Sequence, residues 1–218
     1  MLELYGVARS RATRNLWLLY ETNTEFGHIP VIQAYRLPEE KPAGVVHTRS
    51  PEFLAISPQG AIPVLKDGDF ILTESLAINL YLAKQIGGDL APRTAQEEAE
   101  MTQWALYAIT SIEPFALPIL YAVTQGRTAT AEGAAEVVDL LRQLERPMAV
   151  LESHLAADGY MVGGRFTVAD INTAEIVRYA TVAPGFLDAY PAVKAWLAAC
   201  QARPAFQKMW QLRLTEPE

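Results

Sequence analysis

The chain has 218 residues, 50% of them hydrophobic and 20% charged, which is the composition of a folded globular protein and excludes a disordered one. Its formal net charge of −7 argues against nucleic acid and membranes as partners, although Arg9, Arg11 and Arg14 form a local basic cluster. The single cysteine, Cys200, excludes an internal disulfide and any cysteine-built metal site, and with neither a signal-peptide pattern nor an apolar run of membrane-spanning length the expectation is a cytoplasmic protein.

In chain order, Leu2 to Gly6 reads as a short strand, and Thr13 to about Tyr20 as a helix with Leu16, Leu19 and Tyr20 on one face. Ile29 to Tyr35 is rich in Val, Ile and Tyr and reads as a second strand, with Pro30 confining it to a sheet edge or delaying its start. Pro38 to Ser50 is a loop, and Ser50 followed by Pro51 opens one or two helical turns. Val64-Leu65 and Phe70 to Leu72 are strands joined by a tight turn over Lys66 to Asp69, and a helix begins behind Thr73, Glu74 and Ser75. The order β-α-β-α-β-β-α asks for a mixed four-stranded sheet with helices packed on it.

Gly87 to Pro92 combines two glycines with a proline beyond a helix end and marks a boundary, giving domains 1–86 and 93–218. Everything after it reads helical: Thr94 to about Tyr121, with bends at Pro114 and Pro118, then Ala131 to about Leu155, Thr167 to Ala180, and Pro191 to about Ala202. The fold class is therefore an α/β domain followed by an all-α bundle.

Three places carry chemistry or its imitation. The stretch from Ser57 to Lys84 gathers Gly60, Pro63 and the polar group Thr73-Glu74-Ser75 around a strand pair and a helix start, where unpaired N–H groups and the dipole suit a small anionic ligand. Ser10, in the loop before the first helix, is either a helix cap, as Thr13 could be, or a hydroxyl that donates to a thiolate carried by a ligand. Thr167 and Asp170 have the spacing of a reciprocal capping box, with Phe166 and Ile171 placed for a hydrophobic staple, so Asp170 belongs to folding rather than to chemistry. His28, His47 and His154 show no ligand spacing, and no metal is expected.

The segments LYGVARSRATRNLWLLYE, SPEFLAISPQGAIPVL, LTESLAINLYLAK, GRFTVADI and YPAVKAWLAACQARPAFQ occur in an order, spanning nearly the whole chain, that resembles the cytosolic glutathione S-transferases, the mostly bacterial kind with a thioredoxin-like first domain. The resemblance implies a thioredoxin-like glutathione-binding domain and a helical domain that supplies the pocket for a second substrate. It implies that Pro63 is a cis-proline freeing the Ile62 backbone to pair with the cysteinyl part of glutathione. Ser75 and the helix behind it would meet the γ-glutamyl carboxylate, and Glu74 the γ-glutamyl ammonium. His47 and Arg49 are candidates for the glycine carboxylate, and Ser10 matches the activating serine. Tyr107, Ser111 and Phe115, three to four residues apart on the long helix, would line the acceptor pocket, with Trp210 covering it, and favour apolar or aromatic electrophiles. Glutathione as co-substrate, a small-molecule electrophile and a homodimer follow from the same resemblance. The leading function is a glutathione transferase acting in detoxification. A glutathione-dependent peroxidase, disulfide reductase, dehalogenase or isomerase is the second reading, and a non-catalytic binding protein that kept the fold the third.

Overall fold

The computed structural model describes residues 1–216 and separates the chain into two units, Met1–Gly88 joined by the segment from Arg203 onward, and Asp89–Ala202.

The first unit is built on a sheet of four strands in the order β2-β1-β3-β4: β1 (Leu2–Tyr5), β2 (Gly27–Ile29), β3 (Val64–Asp67) and β4 (Phe70–Thr73). β1 runs parallel to β2 and antiparallel to β3, and β3 pairs antiparallel with β4, so Leu4 faces Leu65 and Leu65 faces Leu72 across the ladders. Between and after the strands come α1 (Thr13–Glu21), the single turn α2 (Pro51–Leu54) and α3 (Ser75–Ile86). This is the thioredoxin-like arrangement, and its core combines Leu4 and Leu65 from the sheet with Leu16, Leu19, Ile78 and Leu82 from the helices, all buried.

β2 lies at Gly27–Ile29, not at the expected Ile29 to Tyr35. Pro30 has no N–H for the ladder and ends the strand, and the residues beyond it make one 3-10 turn at Ala34–Arg36 and a single bridge between Ile32 and His47. Ser50 precedes α2 without capping it; its hydroxyl accepts instead from His47 N–H at 2.9 Å.

The helical domain drawn from the sequence as 93–218 loses its end to the first unit. The last helix, α9 (Pro204–Thr215), packs along α1. Phe206 meets Trp17 edge to face at 4.9 Å, Met209 is fully buried, and Arg203 forms a two-pronged ion pair with Glu21 at 2.7 and 2.8 Å. Covered by α3 and α9, α1 is buried at every position from Thr13 to Leu19, its polar residues included.

The second unit contains α4 (Ala95–Tyr107), α5 (Glu113–Thr124), α6 (Ala131–Asp158), α7 (Val168–Val177) and α8 (Pro191–Gln201). α4 and α5 are joined by a π-helical turn at Ala108–Ile112, so the break falls ahead of Pro114. Pro114 sits in the first turn of α5, where its missing N–H denies the preceding turn an ordinary α bond. The continuous helix Ala95–Thr124 is, among the described residues, the one stretch whose length and apolarity match a membrane span, contrary to the expectation that none does; it packs against α6 and α7 within its unit.

All ten residues of α7 are buried, which makes it the central helix of the unit. Its buried Glu175 is held by Arg178 at 2.8 and 3.0 Å. The capping box closes: Asp170 Oδ2 accepts from Thr167 N–H at 2.8 Å, and Thr167 Oγ1 accepts from Ala169 N–H. Asp170 Oδ1 also accepts from Met161 N–H at 3.0 Å and from Trp196 Nε1 at 2.8 Å, so one buried carboxylate joins α7, α8 and the preceding turn. Burial pushes its carboxyl above the usual range, and these four donors, with the Thr167 hydroxyl among them, oppose that shift.

Candidate functional site

β1 ends at Tyr5, and the loop from Gly6 to Ala12 carries the chain to α1. Ser10 lies in it, half-buried, with its hydroxyl donating to the Val7 carbonyl at 2.6 Å and accepting from Ala12 N–H at 3.0 Å. Thr13 does not cap α1, because its hydroxyl donates to the Ser10 carbonyl at 3.2 Å. Gly6 starts the loop at φ +147°, and a Cβ there would stand 3.2 Å from Ala12 Cβ, 3.5 Å from Ile62 Cβ and 3.7 Å from Pro63 Cα. Only glycine suits both that backbone and that approach, and through it the Ser10 loop lies on the Ile62–Pro63 segment. The Ile62–Pro63 peptide bond is cis, and Ile62 packs on the small cluster of Val31, Phe53 and Val64.

At the head of α3, Glu74 is exposed and takes φ 68°, ψ 109°, a region that non-glycine residues occupy rarely and mostly at functional positions. Its carbonyl accepts the first α3 bond, from Ile78 N–H. Ser75 is buried beneath it, and its Oγ accepts from Arg14 Nη1 at 2.9 Å. Arg14 is itself fully buried, reaching from the first turn of α1. Two asparagines close the seam: Asn15 Nδ2 donates to the Ser75 carbonyl at 2.9 Å and to Asn79 Oδ1 at 2.7 Å, and Asn79 Nδ2 donates to the Arg14 carbonyl at 3.0 Å. A guanidinium under Ser75, added to the free N–H groups of the α3 first turn, makes this end of the unit electropositive and suited to a carboxylate.

The third wall is the loop carrying His47 and Arg49. His47 is half-buried, its Nδ1 accepting from Arg49 N–H at 3.2 Å, and Arg49 is exposed. Gly60, at φ +62°, lies against the Thr48 carbonyl, which a Cβ would meet at 2.7 Å, and beside the Arg49 guanidinium. Gln33 Nε2 donates to the Arg9 carbonyl at 3.2 Å and Ala34 N–H donates to Thr48 Oγ1 at 3.0 Å, so this loop is stitched to the one that carries Ser10.

Ser10, Ile62, Pro63 and Ser75 are thus tied to one another through Gly6 and Arg14, which sequence reading did not assign to the site. By sequence Arg14 belongs with Arg9 and Arg11 to a basic cluster near Ser10 that favours a bound anion; its bond to Ser75 has no local signal. A separate cavity of about 710 Å³ opens at the far end of α1, among Leu19, Tyr20, Phe26 and Lys208, and none of the predicted site residues lines it.

The four predicted acceptor-pocket residues fall in both units. Trp210 is on α9, stacked on Phe206 with ring centroids 5.8 Å apart and the Arg213 guanidinium 5.5 Å from its ring. Tyr107, Ser111 and Phe115 are all half-buried in the helical unit, and the π turn at Ala108–Ile112 lies between Tyr107 and Phe115. The Tyr107 hydroxyl donates to the Pro147 carbonyl of α6 at 3.2 Å, and burial raises its phenol above the usual range, with Arg146 opposing. Among the described residues no cluster of three or more potential metal ligands occurs.

Comparison with known proteins gives the fold a lineage. Residues 1–84 match the model of the glutathione S-transferase N-terminal domain, and residues 100–204 that of the glutathione S-transferase C-terminal domain. Glutathione S-transferase 3 of Zea mays is 36% identical, over 95% of this chain and 92% of its own length. Among solved structures, glutathione S-transferase III in its apo form aligns with a TM-score of 0.80 at 35% identity, covering 100% of this chain and 99% of that one. The theta class glutathione S-transferase of Xanthomonas axonopodis pv. citri, solved with glutathione bound, aligns with a TM-score of 0.76 at 26% identity, covering 95% of each chain. The chain therefore belongs to the glutathione S-transferase family and is a glutathione transferase, joining the thiol of glutathione to an electrophile.

Proposed function

We propose that Ser10 is the thiol-activating group of this transferase, and that glutathione lies along the Gly6–Pro63–Ser75 edge of the first unit. The γ-glutamyl carboxylate sits on Ser75 and the α3 N-terminus above Arg14. Glu74 faces the γ-glutamyl ammonium, the Ile62 backbone pairs with the cysteinyl peptide, and His47 and Arg49 take the glycine carboxylate. Acceptor recognition is assigned to the helical unit through Ser111 and Phe115, with Tyr107 supporting them from its bond to Pro147, and to Trp210. The acceptor is a small hydrophobic electrophile, the setting is cytoplasmic detoxification, and the working form is a homodimer.

One observation carries the reading: the Ser10 hydroxyl already accepts from Ala12 N–H at 3.0 Å, which polarises it as a donor. It has one proton, now given to the Val7 carbonyl. Turning that proton onto sulfur stabilises the thiolate more than the thiol, so the bound thiol loses its proton to solvent more readily. The thiolate then forms the S–C bond, and the leaving group departs with its electron pair. The test is thiolate absorbance against pH on the glutathione complex, with turnover of an aryl halide. Ser10→Ala is expected to raise the bound thiol pKa by about one unit and to lower kcat about tenfold or more, with a smaller change in glutathione affinity. An unmoved profile with wild-type turnover excludes Ser10.

A further inference from the structure

The loop that carries Ser10 is held by the segment that follows α9. Glu216, just beyond α9, places its carboxylate across two successive backbone donors: Ala8 N–H donates to Oε1 at 2.7 Å and Arg9 N–H to Oε2 at 2.7 Å. Two further bonds close the contact, one in each direction. Arg9 Nε donates to the Glu216 carbonyl at 2.9 Å, and Arg213 Nη1 donates to the Ala8 carbonyl at 2.7 Å. Two adjacent N–H groups aimed at one anion form a backbone nest, and bonds to an ionised carboxylate are among the stronger ones a protein makes.

We propose that Glu216 is a positioning residue for the transferase reaction, holding the Ala8-Arg9 backbone so that the adjoining Ser10 hydroxyl is aligned for the thiolate. This rests on the reading of Ser10 as the activating group. The loop needs such support, because it lies outside both β1 and α1 and has no ladder of its own. Besides the tail, its backbone is fixed by Gly6 N–H to Ile29, by the His28 ring at the Gly6 carbonyl, by Gln33 to the Arg9 carbonyl, by Thr13 to the Ser10 carbonyl, and by the Ser10–Val7 bond itself. That last bond must open when the hydroxyl turns to sulfur, leaving the tail, with Gln33 at the Arg9 carbonyl, to keep Ala8-Arg9 in place. The tail is well anchored for the task, since α9 is fastened to α1 by the Trp17–Phe206 contact and the Arg203–Glu21 pair. The catalytic demand is for alignment, and displacement of about 1 Å at a reacting group can cost on the order of a hundredfold in rate.

The experiment is a double-mutant cycle between Glu216 and Ser10 in the full chain, reading kcat, glutathione KM and the bound thiol pKa. Glu216→Ala is expected to lower kcat about tenfold and raise the thiol pKa, with glutathione KM changed less than about twofold, because Ser75 and Arg14 remain in place. In the Ser10→Ala background the same substitution is expected to do almost nothing. Arg213→Met, which removes the bond to the Ala8 carbonyl and leaves the Glu216 carboxylate in place, is expected to shift kcat in the same direction by less, and it serves where Glu216→Ala folds poorly. If Ser10→Ala lowers kcat while Glu216→Ala and Arg213→Met leave it at the wild-type value, the positioning role is overturned and the Ser10 reading stands. Equal losses from Glu216→Ala with and without Ser10 overturn it too. If Ser10→Ala changes neither kcat nor thiol pKa, the Ser10 reading falls and takes this proposal with it.

Discussion

Arg14 donates to the Ser75 hydroxyl at 2.9 Å with both side chains buried, joining the first turn of α1 to the first residue of α3. A buried guanidinium is costly unless its charge is used, and at this place it stands beneath the α3 N-terminus, where an anion is favoured. Arg14→Met is therefore expected to weaken glutathione binding about tenfold or more, as for loss of a charge-assisted bond worth about 1.5–3 kcal/mol. Calorimetric titration with glutathione checks this. Affinity that holds while the melting midpoint falls would make Arg14 a structural strut only.

Gly6→Ala tests the close approach between the Ser10 loop and Pro63. The new Cβ meets Ala12 and Ile62 at 3.2 and 3.5 Å on a backbone that disfavours side chains. The expected destabilisation is about 1–3 kcal/mol by denaturant melt, with kcat lowered through displacement of Ser10. Wild-type stability and turnover together would show that the loop yields freely.

Loss of Asp170 should cost stability and spare chemistry. Asp170→Ala orphans the N–H groups of Thr167 and Met161 and the Trp196 indole, all inside the helical unit. A loss of about 3–5 kcal/mol is expected in denaturant melts, with kcat per folded molecule unchanged. Normal stability with selectively lost turnover would overturn the structural assignment.

Acid sensitivity should trace in part to Glu97. Its carboxylate takes two bonds from Arg165, at 2.9 and 2.7 Å, and one from Arg93 N–H at 2.8 Å, and these donors lower its pKa from 4.5 to about 2. Because the folded value lies below the unfolded one, the unfolded chain binds the proton more readily in between. The pair's contribution is thus complete above about 4.5 and is lost as pH falls toward about 2. The pair is partly solvated, so that contribution is modest, about 1 kcal/mol. Glu97→Gln should lower the melting midpoint at neutral pH, and the gap to wild type should close across that acid window. A gap that stays constant with pH would show that the charge is not its source.

The sequence by itself determined the strand-helix order of the first unit and the capping box at Thr167 and Asp170. Each of these is written locally, in the period of the apolar residues or in the spacing of a cap. The family resemblance, too, is carried by the sequence alone. What local pattern could not supply was the destination of a side chain or helix. Arg14 looks like one of three surface cations until α3 and α9 enclose α1 and drive it onto Ser75. Pro30 shows that a strand is interrupted, but only pairing with β1 decides that the strand is the three residues before it. The π turn at Ala108–Ile112, within the run of Tyr107, Ser111 and Phe115, is likewise unwritten in the local pattern, because a proline's effect on the preceding turn depends on how the backbone relaxes. Glu216 carries no sequence signal at all. Its partners are backbone N–H groups some two hundred residues away, identical in every residue but proline, and tertiary packing of α9 on α1 alone brings them together.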